Sequence, residues 1–153
     1  MVPIKEAINN GSWLQCEHIF VENYKFRLRV KSFEKLNLSL VDDPEEIKGI
    51  DSNSIIWKMD IEVIALNKEP IPVRYGPNDL LLVDQDGFKF PVFIERHLHM
   101  ASEFSRNSGL HRFYVADLLP KIKAVGSIIF QLPDDDDAEY FISIKNEGIV
   151  QEV

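Results

Sequence analysis

A chain of 153 residues, 45% hydrophobic and 27% charged, has the size and make-up of one globular domain with a real core. The formal net charge of −8 and a pI near 5.0 argue against bulk binding to nucleic acid or to an anionic membrane. No run approaches the roughly 18 apolar residues of a membrane-spanning helix, and a single cysteine, Cys16, excludes an internal disulfide.

The opening "MVPIKEAINNGSWLQ" lacks a basic stretch followed by an apolar run, so no signal peptide is read there. A cytoplasmic location is expected for the chain as given, and an envelope-associated one if a leader has been removed. Cys16, as a packed or half-exposed thiol, fits a reducing compartment. Residues 1–22 carry no clear period and are expected to be a peripheral N-terminal segment. "YKFRLRVKSF" (24–33) then alternates: Tyr24, Phe26, Leu28 and Val30 on one side, Lys25, Arg27, Arg29 and Lys31 on the other. Period 2 predicts a half-buried strand. Residues 34–54, rich in acid and polar residues with Pro44 and Gly49, predict a long connection. "SIIWKMDIEVIALN" predicts a second long strand, with Trp57, Met59, Ile61, Val63 and Ala65 sharing a face opposite Lys58, Asp60 and Glu62.

"NKEP" (67–70) predicts a turn, and Pro72 and Pro77 restrict any ladder after it to a sheet edge. In "LLLVDQDGFKFPV" (80–92), two apolar runs flank Asp84, Gln85, Asp86 and Gly87. A calcium loop with Gly87 at its sixth position would place Leu82 first and Phe93 last, and neither side chain can ligate the ion. Asp-Gly between apolar runs instead supplies the positive φ of a hairpin turn. Residues 94–112 form a long loop or a short helix. "YVADLLPKIKAVG" predicts strand, loop and strand. "GSIIFQLP" and "EYFISIK" predict a last hairpin with "PDDDDA" at its tip. Short strands punctuated by turns predict a single all-β domain, an antiparallel sandwich.

The order of Asn67, then Leu82, Asp84 and Gly87, then Gly126, Phe130 and Pro133, spread over residues 55–145, resembles the immunoglobulin-like β-sandwich family of uncharacterised prokaryotic domains, often lipoproteins or surface-associated proteins. The resemblance implies an immunoglobulin-like β-sandwich and an interaction or envelope role, and it brings no catalytic residue. The chain departs from that pattern in lacking a lipobox and in its long segment between Phe93 and Leu118.

Three groups are chemical candidates. His97 and His99 share a face if their segment is extended, and His111 can join them, with Glu95 on the same side, as a zinc site. In a helix His97 and His99 diverge by about 200°, and they are then polar loop residues. Asp134 to Asp137 can hold calcium weakly or form a solvated loop tip. The basic stripe of Lys25, Arg27, Arg29 and Lys31 can receive a protein partner or pair with Asp60 and Glu62 on the neighbouring strand. Nucleic acid is disfavoured there because no aromatic residue interleaves for stacking. Trp13 and Trp57 read as core anchors. Motifs for nucleophilic catalysis or phosphate binding are absent from the sequence, and no cofactor is implied.

The expectation is a non-enzymatic protein-interaction module of the immunoglobulin-like type, its partner unknown, acting through the basic stripe or the Glu95–Arg112 segment. The alternatives are a metal-binding domain using His97, His99 and His111, and a structural subunit of a larger assembly.

Overall fold

The alternation in residues 25–30 becomes one buried and one solvent-facing side of a strand. The computed structural model describes residues 1–18, 23–36, 53–93, 117–146 and 148–153. In β3 (Lys25–Lys35), Phe26, Leu28 and Val30 are buried while Lys25 and Arg27 are exposed. β4 (Ser54–Ala65) lies antiparallel to it, Leu28 opposite Val63 and Val30 opposite Ile61. β9 (Lys123–Pro133) pairs along the other side of β4, setting Gly126 opposite Ile61, Ile128 opposite Met59 and Phe130 opposite Trp57. β2 (Leu14–Glu17) and β11 (Ile149–Glu152) complete a five-stranded sheet in the order β11-β2-β3-β4-β9.

A second sheet comprises β1 (Val2–Pro3), β6 (Leu80–Asp84), β7 (Lys89–Pro91) and β10 (Tyr140–Ile144), ordered β1-β10-β6-β7. Its buried residues Leu80, Leu82, Ile142 and Ile144 join Leu14, Phe26, Leu28, Ile61 and Phe130 in one core cluster. Burying each such side chain contributes roughly 1.5–3 kcal/mol, so this interior is what holds the two sheets face to face. The result is the antiparallel all-β sandwich expected from the sequence. β5 (Ile71–Pro72) pairs only with β8 (Asp117–Leu118), as the prolines require. No helix among the described residues is long and apolar enough to cross a membrane.

Within residues 80–92, Gly87 adopts φ 89°. The Asp84 carboxylate accepts hydrogen bonds from the backbone N–H groups of Asp86 and Phe88, each at 2.9 Å. Its acid therefore serves the turn, and β6 and β7 form the expected hairpin.

Two expectations are corrected. Residues 1–22 are not peripheral where they are described. Val2 in β1, Ile4 and Ala7 in α1 (Ile4–Asn10), and Leu14 and Cys16 in β2 are all buried in the core. A helix of 7 residues is under two full turns, too short to show a helical period. Gly11, in the left-handed region at φ 59°, caps it with N–H contacts to the carbonyls of Ala7 and Ile8. The last hairpin is also absent. β9 pairs with β4, whereas β10 pairs with β6 and β1, so residues 134–139 cross from one sheet to the other. Both strands are apolar enough to need a partner within a sheet, and each finds a different one. Pro and acid mark a chain reversal without showing which sheet receives the next strand.

The register of β3 on β4 shifts once. Val30 faces Ile61 but Ser32 faces Asp60, so Lys31 is the extra residue of a β-bulge. Beyond it Phe33 faces Met59 and Lys35 faces Trp57. The expected 34–54 connection is shorter than predicted, since Glu34 and Lys35 still belong to β3. Residues 37–52 of it lie outside the described residues, as does all of 94–112.

Candidate functional site

The basic stripe lies on the outer face of the five-stranded sheet, and the sheet's own acids occupy much of it. Arg29 Nη2 donates to Glu62 Oε2 at 2.7 Å across the β3–β4 pair. Lys31 and Lys123 bring their amines to 3.7 and 3.8 Å from the same carboxylate. Burial acts to raise the Glu62 carboxyl pKa. The hydrogen bond from Arg29 and the charges of Arg29, Lys123 and Lys31 outweigh it, and the group is held below its ordinary value. The Arg29 guanidinium also lies over the Trp13 ring at 4.6 Å. Asp60, the other expected partner, meets Ser32 instead, at 3.0 Å, because the bulge moves the register. It also accepts from the Ser127 hydroxyl and lies 3.4 Å from Lys58. Lys25 reaches Glu17 at 4.0 Å, and Arg27 is exposed.

His97, His99 and His111 lie outside the described residues. Among the described residues, no group of three or more His, Cys, Asp or Glu side chains is placed to hold a metal. Cys16 is fully buried, and burial pushes its thiol pKa up, away from the reactive thiolate.

His18 is a buried polar residue that no sequence motif marked. Its Nε2 lies 2.7 Å from the Tyr75 carbonyl and 3.3 Å from Asp79 Oδ2. Tyr24 and Tyr75 stack beside it with ring centroids 5.6 Å apart. The contact ties the end of β2 to the 3-10 turns Val73–Tyr75 and Pro77–Asp79 that lead into β6. Burial raises the Asp79 carboxyl, opposed by the charges of His18 and Lys145. This arrangement bridges the two sheets and opens into no described cavity.

The concave feature lies at the β3–β4 end of the same sheet. A cleft of about 190 Å³ opens between α1, the ends of β3 and β4, and the 134–139 crossing. Phe33 and Trp57 stack on its floor, ring centroids 4.8 Å apart and 27° from parallel. Pro3, Ile4 and Ile8 form the apolar wall on the helix side. Opposite stand Asp135, Asp136, Ala138, Glu139 and Tyr140. Lys35 holds its ammonium 5.7 Å from the Trp57 ring centroid and 3.0 Å from Asp136 Oδ1. Tyr140 is pushed up by burial first, then by the charges of Asp84 and Asp135.

Sequence reasoning placed Trp57 in the core and the aspartates at a solvated tip. Trp57 is half-buried, and two of the four aspartates line the cleft. One signal was available: Phe33 breaks the even-numbered apolar parity of Phe26, Leu28 and Val30.

With the fold and cleft described, comparison with known proteins places the chain among sheet-rich proteins of similar architecture. No protein-family model and no curated protein matches it. A conserved hypothetical protein from Bacillus anthracis superposes with a TM-score of 0.52 at 13% identity, covering 92% of this chain and 97% of that one. MPT63, a secreted protein from Mycobacterium tuberculosis, superposes with a TM-score of 0.51 at 14% identity, covering 88% and 92%. At these identities the likeness is one of fold.

Proposed function

We propose that the chain is an immunoglobulin-like sandwich acting as a non-enzymatic protein-interaction module, with the α1-side cleft as its recognition site. The stacked Phe33–Trp57 floor carries this reading. A half-exposed tryptophan in a concave, partly apolar setting is the type of anchor that dominates interface energetics. The basic stripe is a weaker candidate, because Arg29 and Lys31 already share Glu62 and a partner would have to displace it. The fold analogues support the scaffold and leave the partner's identity to experiment.

The test is site-specific photocrosslinking in cells. A photoreactive residue at Ala138, on the cleft wall, is compared with one at Arg27 on the stripe. The reading expects an adduct at Ala138 that disappears when Trp57→Ala is added. Adducts only from Arg27, or an Ala138 adduct indifferent to Trp57→Ala, would sink it.

A further inference from the structure

Resting on that reading, we propose that the cleft receives a basic side chain, arginine or lysine, presented by the partner protein, and that Lys35 holds its place in the free protein. Size comes first. At about 190 Å³ the cleft is smaller than the roughly 300–1,000 Å³ of sites that enclose a whole small molecule. It suits one long side chain with an aliphatic stem.

Surface chemistry then selects the side chain. The stem has Ile4, Ile8 and Pro3 to lie against, and the Trp57 face attracts a cation above it. Among the described lining residues are three carboxylates, Asp135, Asp136 and Glu139, and one amine, Lys5. An anionic side chain is repelled there. A purely apolar one strips water from the carboxylates and returns no partner to them. Arginine suits the site better than lysine, because its planar guanidinium can stack on an indole and still donate in its plane to a carboxylate.

The protein itself marks where the charge sits. Lys35 places its ammonium within cation–π range of Trp57 and in contact with Asp136. The two side chains of that ion pair are 49% and 82% exposed. An exposed pair of this type is weak and is screened by salt, so an incoming cation can replace it. The occupied position is thus a low-affinity internal copy of the bound state.

The experiment is a titration of the 15N-labelled full chain, followed at the two tryptophan indole N–H signals. Trp57 reports the cleft, and Trp13 serves as internal control. The probes are blocked Gly-Arg-Gly, blocked Gly-Lys-Gly and blocked Gly-norleucine-Gly, the last a neutral isostere. Arginine and lysine peptides should shift the Trp57 signal, arginine at lower concentration, while norleucine should not and Trp13 should stay still. Lys35→Ala should tighten arginine binding by up to about fivefold. Asp135→Asn with Asp136→Asn should abolish it while the remaining spectrum shows the fold intact. Equal response to norleucine, movement of Trp13 alone, or no response to any peptide overturns the proposal. Propylguanidinium binding as tightly as the arginine peptide overturns the protein source of the side chain. The two readings fail separately. A Trp57-dependent Ala138 crosslink without a cation response retires only this inference. A cation response without that crosslink retires the proposed function.

Discussion

On the outer face of the five-stranded sheet, one carboxylate, Glu62, has three cations within 4 Å. In the cleft, Asp135, Asp136 and Glu139 gather around an aromatic floor with Lys35 on its rim. The residue types are alike and their surroundings are opposed. Glu62 is nearly buried, and its ring of cations holds it ionised there. Asp136 is open to water and partnered by an equally mobile lysine. A charge enclosed by its own sheet is spent on structure. A charge left beside a half-exposed indole remains available to another molecule.

The largest expected effect is at the enclosed charge. Glu62→Gln should cost about 1.5–3 kcal/mol, the range for hydrogen bonds to charged groups, measured by urea unfolding at neutral pH. Because the folded carboxyl lies below its unfolded value of about 4.3, the Glu62 contribution is complete above that pH. It is lost as pH falls through the folded value. The gap between wild type and Glu62→Gln should therefore close in acid. A gap that stays constant from neutral pH into acid would break the comparison. Labelling of Cys16 offers a second readout. The thiol is buried, so it should react only when the sheet opens, and sooner in the variant.

A middle-sized effect is expected at a carboxylate that serves only a turn. Asp84→Ala removes the acceptor for two backbone N–H groups. It should lower stability by about 1 kcal/mol, with no change in the cleft's response to arginine. The smallest effect is expected at the cleft rim. A double-mutant cycle on Lys35 and Asp136 should give about 0–1 kcal/mol, falling towards zero at 1 M salt, where the Debye length is about 3 Å. The same cycle on Arg29 and Glu62 should remain larger and less salt-sensitive. Equal coupling in both pairs would erase the distinction between enclosed and available charge.

Much of the sandwich was legible because strand alternation is local. Phe26, Leu28 and Val30 declare their face within six residues, and the Asp84–Gly87 turn declares itself within four. The Arg29–Glu62 pairing followed from joining two such strands in register. The cleft was not legible, because residues 3–8, 33, 57 and 135–140 meet only after both sheets and the helix are in place. α1 escaped notice for its length, and the inter-sheet crossing because its composition is that of a hairpin tip. The bulge at Lys31 hid the rest. A strict two-residue period carries Phe33 and Lys35 to the charged side, away from Trp57.

That single unpaired lysine sets the reading frame of everything downstream in β3. Removing Lys31 outright would not merely delete a surface charge. It would let the strand slip by one, sending Ser32 inward, Phe33 out to solvent and Lys35 to the far side from Trp57. The sheet could keep its hydrogen-bond ladder while the cleft lost its floor and its ammonium together. A deletion there and a substitution there are thus different experiments. Lys31→Ala changes one side chain; loss of the residue changes the phase of five.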